Sequence, residues 1–170
     1  MNENLNETLQ PEINRLHQDN LSLIMATKDH DGFPNASYAP FVYVDGHYYV
    51  FISEIAPHTQ HLLNTPELSI MIIDDERNTR NIYARARLSY QAKANQVQRD
   101  CDEFKKAMDA LYPRGGNTLD VLTQLGDFSL FRLTPQKGRL VLGFGKAYTL
   151  NAENQQAQWL TDGHVSMKSA

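Results

Sequence analysis

The chain has 170 residues, 41% of them hydrophobic, and a formal charge of −4 from 16 basic and 20 acidic side chains. That length suits one domain with a substantial core, and the charge balance offers no basic stripe of the kind that attracts nucleic acid. One cysteine, Cys101, permits no internal disulfide, the polar and acidic opening lacks the pattern of a secretory signal, and no apolar run is long enough to span a bilayer, so a cytoplasmic location is expected.

Leu9 to Asn20 reads as a short amphipathic helix, with Ile13 and Leu16 about one turn apart. Leu21 to Thr27 has strand character and is closed by Asp29-His30-Asp31-Gly32, a strong turn signal. Pro34 to Val44 is predicted as a second strand, and Asp45-Gly46 as a hairpin turn into the returning strand His47 to Ile52. Pro57 suits the first turn of a helix that runs to about Asn64. Leu68 to Ile73 is a further buried strand, followed by a long alternating stretch, Asn81 to Ala94. Gln98 to Leu111 and Thr118 to Leu125 look helical, Phe128 to Leu133 and Arg139 to Tyr148 look like strands, and a final helix precedes a loose tail.

With no repeat, linker or composition break, the whole chain, 1–170, is expected to form one domain, with a helical arm over 1–20 and a C-terminal helix and tail over 151–170. Six or seven short antiparallel strands with hairpin turns predict a mainly β (α+β) barrel with flanking helices, in preference to a βαβ sheet.

Several residues can carry chemistry. Strand periodicity sends Tyr83, Arg85, Arg87 and Ser89 to one face and Ala84, Ala86 and Leu88 to the other. Two guanidiniums about 7 Å apart on one face suit phosphate or carboxylate groups, although a solvated face with scattered ion pairs has the same pattern. Ser53 to Thr59 joins a strand to a helix start, where backbone N–H groups and hydroxyls favour an anion; ordinary capping reads the same way. His58 and His61 have the spacing of two ligands on one helical turn, without a third to complete a zinc site. Gly143-Phe144-Gly145 lacks a dinucleotide fingerprint's third glycine and following helix; in a strand, such glycines mark a bulge or a close approach. Asp127 reads as a turn or cap aspartate and His164 as a tail histidine.

Taken together, these segments resemble the HugZ/HutZ-type haem-utilisation proteins, relatives of the pyridoxamine 5′-phosphate oxidase split-barrel flavoproteins. The resemblance runs from about Pro11 to His164 and rests on Pro11-Glu12-Ile13, Asn35 to Phe41, Tyr83 to Leu88, Gly126 to Leu133, Gly143 to Tyr148 and Asp162-Gly163-His164, in that order and spacing. It implies a split-barrel homodimer with haem at the subunit interface. The histidine ligand of the haem iron falls on His164, its hydrogen-bond partner on Asp127 from the partner subunit, a basic position near the haem on Arg87 with Arg85 beside it, and a helix-start histidine on His58. It further implies a haem-degrading activity supplied by an electron donor, with haem as both ligand and substrate. Two alternatives stand beside it: an oxidoreductase with FMN phosphate held by Arg85, Arg87 and Ser53, and a non-enzymatic haem carrier. The helix after His58 reads Thr59-Gln60-His61-Leu62, less basic than the resemblance leads one to expect, which bears mainly on the flavin alternative.

Overall fold

Alternation over Ser22–Lys28, with Leu23, Met25 and Thr27 buried and their neighbours exposed, makes a strand with one covered face. A computed structural model, which describes residues 2–152 and 156–159, builds a sheet around it. In chain order the elements are α1 (Asn2–Asp19), β1 (Ser22–Lys28), β2 (Pro34–Pro40), β3 (Val42–Val44), β4 (His47–Ser53), α2 (Pro57–Asn64), β5 (Glu67–Ile73), β6 (Arg87–Val97), α3 (Asp102–Gly115), α4 (Thr118–Gln124), β7 (Phe128–Gly143), β8 (Lys146–Asn151) and β9 (Gln156–Trp159).

Pairing follows the order β2-β1-β5-β6-β7-β4-β3, with β8 and β9 added beside β7, and every pair is antiparallel. The two ends of that order, β2 and β3, are consecutive in sequence, with only Phe41 between them. The chain itself therefore joins the edges of the sheet, which curls into a barrel. Pro40 suits the break because it brings no N–H to a ladder, and the N–H of Phe41 donates to the Leu21 carbonyl at 3.1 Å. At the β3–β4 turn, Asp45 and Gly46 take φ of 50° and 82°, the left-handed pair a two-residue hairpin needs.

The barrel interior is filled by Leu23, Met25, Phe41, Tyr48, Val50, Ile70, Leu88, Phe131 and Leu133, among others, with α1 closing it through Leu9 and Leu16. A second cluster lies outside the barrel, where α3 and α4 cover Tyr49, Phe51 and Leu130 with Met108, Leu111 and Leu119. Strand β4 is thus covered on both faces, which explains its unbroken apolar run Tyr48 to Ile52. Opposite Tyr90 in the β6–β7 ladder stands Gly138, where a Cβ would lie 2.4 Å from the tyrosine ring; the missing side chain makes room for that ring.

The structure corrects several expectations. Among the described residues the sheet has nine strands rather than six or seven. Pro34 to Val44 divides at Phe41 into strands on opposite edges, and the two strands expected within 128–148 are regrouped as β7, 16 residues long, and β8. Phe144-Gly145 is the turn between them, while Gly143 ends β7 just past a shift of register after Val141, the bulge expected of a strand glycine; φ is 146° at Gly143 and 69° at Gly145. Residues Gln156–Trp159 form a strand on β8 where a helix was expected, because pairing with an open sheet edge outweighs weak local helix preference. Helix α1 begins earlier than Leu9 and continues through Pro11.

Candidate functional site

Two groups of the residues singled out above are brought together, at different places. The first lies where β4 ends, α2 begins and β7 starts. Ser53 Oγ–H donates to Asp127 Oδ2 at 3.1 Å, and the N–H of Glu54 donates to the Asp127 carbonyl at 2.6 Å. Thr59, fully buried, turns its hydroxyl back to the Ser53 carbonyl at 2.6 Å. A polar chain that no local pattern announces continues from here: Gln96 Nε2 donates to Ser129 Oγ at 2.9 Å, and Ser129 Oγ donates to Glu54 Oε1 at 2.5 Å. Only the register of β4 against β7, which pairs Ser53 with Phe128, brings these distant residues into reach.

This geometry changes the reading of the helix start. Both hydroxyls that an anion needs, on Ser53 and Thr59, are committed to protein acceptors, and the carboxylates of Asp127 and Glu54 stand at the same place. The N–H groups of Ala56 and Thr59 are used within the turn, and Pro57 has none. A phosphate has little left to bind here, and two carboxylates oppose it. His58 is half-buried with Nε2 lacking any hydrogen-bond partner, and burial, then the neighbouring His61, lowers its pKa. Burial thus favours the uncharged ring, and its Nε2 is enclosed by protein. His61 is otherwise engaged, its Nδ1 lying 3.0 Å from Thr27 Oγ1.

The second group lies at the start of β6. Residues Ile82–Ala84 form a 3-10 turn and β6 begins only at Arg87, so Tyr83 and Arg85 do not share a strand face with Arg87 and Ser89 as expected. An Asn81 side chain capping the turn through the Tyr83 N–H diverts the backbone from the strand. Arg85 donates Nε and Nη2 to the Asp74 carbonyl at 3.0 and 2.6 Å and Nη1 to Glu76 Oε1 at 3.0 Å. That guanidinium is a fastener of the 74–86 loop. Among the described residues Arg87 spends only Nη1, on the Arg85 carbonyl at 3.0 Å.

The two groups are far apart within one chain. Arg87 pairs with Val141 near the far end of β7, whereas Asp127 immediately precedes its first residue, Phe128. Sixteen residues of strand have a contour of about 50 Å. His164 lies outside the described residues, as does most of the 151–170 segment.

The family model described as pyridoxamine 5′-phosphate oxidase matches residues 9–142. The chain belongs to that family. Within it, the chain is 42% identical over 152 residues to the haem oxygenase HutZ of Vibrio cholerae serotype O1, covering 89% of this chain and 86% of the relative. A crystal structure of HutZ from Vibrio cholerae, described as a haem storage protein, superposes with a TM-score of 0.75 at 41% identity, covering 80% of this chain and 97% of that one. The crystal structure of Campylobacter jejuni ChuZ superposes with a TM-score of 0.80 at 29% identity, covering 88% of this chain and 61% of the other. The split barrel expected from the sequence is therefore the fold of this HutZ-type member of the oxidase family. None of its described helices is long and apolar enough to cross a membrane.

Proposed function

We propose that this protein binds haem between two copies of the chain and degrades it, with His164 as the axial ligand and Asp127 of the other copy as the hydrogen-bond partner of that imidazole. The observation that carries the reading is the 42% identity to HutZ over 89% of the chain. Two features of the fold support it. Asp127 and Arg87 stand near opposite ends of β7, so a single ligand that uses both needs two chains arranged antiparallel. Asp127 is also oriented by Ser53 through Oδ2, which leaves Oδ1 to accept from an imidazole N–H.

Haem supplies the oxidative chemistry when bound, and the chain supplies ligation, orientation and access. A carboxylate accepting the second N–H of the axial histidine fixes its tautomer and strengthens it as a donor. Arg87 keeps guanidinium donors for a carboxylate tail.

The family match keeps an FMN-dependent oxidoreductase as the second reading, while the engaged hydroxyls of Ser53 and Thr59 and the adjacent carboxylates weigh against phosphate at the helix start. A visible titration of the purified protein with haemin and with FMN tests the proposal. A sharp Soret band that bleaches on adding ascorbate supports it, a stable Soret band makes the protein a carrier, and a two-peaked flavin spectrum with no Soret band replaces it with the second reading.

A further inference from the structure

At the barrel mouth, beside the helix that closes the interior, lies a cavity of about 330 Å³ whose lining includes Leu9, Gln10, Ile13, His17, Tyr43 and Tyr90. None of Ser53, His58, Arg87 and Asp127 borders it. Four rings meet there. His17 stacks on Tyr43 with centroids 4.4 Å apart, Tyr43 lies 4.8 Å from Tyr48, and Tyr48 lies 6.1 Å from Tyr90. His17 and Tyr48 satisfy each other, with Nε2 2.8 Å from Oη. Among the described residues the hydroxyls of Tyr43 and Tyr90 have no protein partner. Burial raises the pKa of both phenols, so both remain hydrogen-bond donors, and burial keeps His17 uncharged. No Asp, Glu, Lys or Arg lines the cavity among the described residues; Pro135 and Leu150 complete an otherwise apolar wall. A void left by loose packing between two apolar layers has an apolar lining, whereas hydroxyls turned into this one cost free energy unless an acceptor meets them. Exposed Gln10, Tyr43 and Gly46 stand at the rim and leave a way in.

We infer that the barrel mouth binds a small, planar, uncharged molecule of one or two rings that carries a carbonyl, its rings among Leu9, Ile13 and the Tyr43 ring and its oxygen accepting from the Tyr43 and Tyr90 hydroxyls. A cavity of this size suits such a ligand. A carboxylate would leave water for a lining without a cation, and an ammonium for one without an acid, and neither recovers its hydration there. Water alone satisfies the hydroxyls but gains nothing from Leu9, Ile13 and Leu150. The inference stands apart from the haem reading and does not rest on it.

The test pairs two probes of one shape with a change in the protein. The full chain, labelled with nitrogen-15, is titrated with benzamide and with benzoate while its amide resonances are followed. Benzamide is expected to shift resonances of α1 and the β3–β4 hairpin saturably, with an affinity on the order of 1 mM for so small a probe. Benzoate is expected to bind at least about 10-fold more weakly, because its charge goes unmet. The Tyr43→Phe/Tyr90→Phe variant keeps both rings and removes hydroxyls that bond nothing in the protein, so it retains the fold. Its affinity for benzamide is expected to fall roughly 10-fold through the two lost donors. Three results each overturn the inference: no saturable shifts at tens of millimolar benzamide or shifts confined to other parts of the chain, benzoate binding as tightly as benzamide, and full benzamide affinity in the variant.

Discussion

Ser53 and Asp127, 74 residues apart in sequence, are joined by a hydrogen bond from Oγ to Oδ2 at 3.1 Å. The bond does two things at once: it ties the end of β4 to the start of β7, and it fixes the plane of a carboxylate. Removing the hydroxyl therefore separates an orienting role from a chemical one. Ser53→Ala is expected to cost about 1 kcal/mol of stability and to lower ascorbate-driven haem turnover while haem affinity changes little. Asp127→Asn keeps an acceptor for Ser53 and is expected to lower turnover more, roughly 10–100-fold. Equal turnover in wild-type protein and both variants would remove Asp127 from the chemistry.

The separation of Arg87 from Asp127 along β7 leads to a complementation experiment. If the ligand lies between two copies as proposed, Arg87→Ala and Asp127→Asn homodimers each lack one part of both sites, whereas a mixed dimer has one site with every part intact. Mixing after reversible dissociation is expected to restore about a quarter of wild-type turnover, since half of the dimers are mixed and each keeps one of two sites. Turnover that merely equals the mean of the two separate variants refutes a shared site.

Acid sensitivity is expected from His17. Its Nε2 lies 2.8 Å from Tyr48 Oη in the barrel mouth, its ring stacks on Tyr43, and Arg114 donates to its backbone carbonyl. Burial, reinforced by the Arg114 charge, lowers its pKa to about 4. With the folded pKa depressed, the unfolded chain binds more protons below about pH 6.5, so stability rises with pH through this window and falls as pH drops from 6.5 towards 4. The loss is on the order of 2–3 kcal/mol at most. Urea midpoints measured at pH 7 and 4.5 should differ in the wild-type chain and differ less in His17→Gln; equal slopes in both would remove His17 as the cause.

Gly138→Ala is expected to destabilise the barrel by about 1–3 kcal/mol, because the new methyl meets the Tyr90 ring and the wall is already filled. Tyr90→Ala should cost stability alone yet cancel much of the Gly138→Ala penalty, a coupling that a double-mutant cycle reads directly. Additive penalties would show that the glycine serves backbone freedom and not the ring.

Much of the fold was legible in the sequence because it is written locally. Pro57 opens α2, Asp45-Gly46 turns β3 into β4, and alternation marks β1 and β5. What escaped was non-local. Nothing near Phe41 announces that the strands on either side of it belong to opposite edges of the sheet, and nothing near Gln156 announces a strand, since each is decided by a partner far away in sequence. The candidate site shows the same division. Ser53, His58, Asp127 and Arg87 carry recognisable residue types, but the commitment of Arg85 to Asp74 and Glu76 follows from a 3-10 turn that alternation disguised as strand. Glu54 and Ser129 drew no notice, because their company is set by register.

The length of β7 also bears on how the protein would let go of what it holds. If its two ends serve different sites, neither chain alone retains a full set of contacts, and ligand affinity becomes tied to protein concentration through assembly. Dilution or a competing partner for one copy then loosens the cargo without any change in its ligands. Release, on this account, is a matter of how many copies of the chain are present.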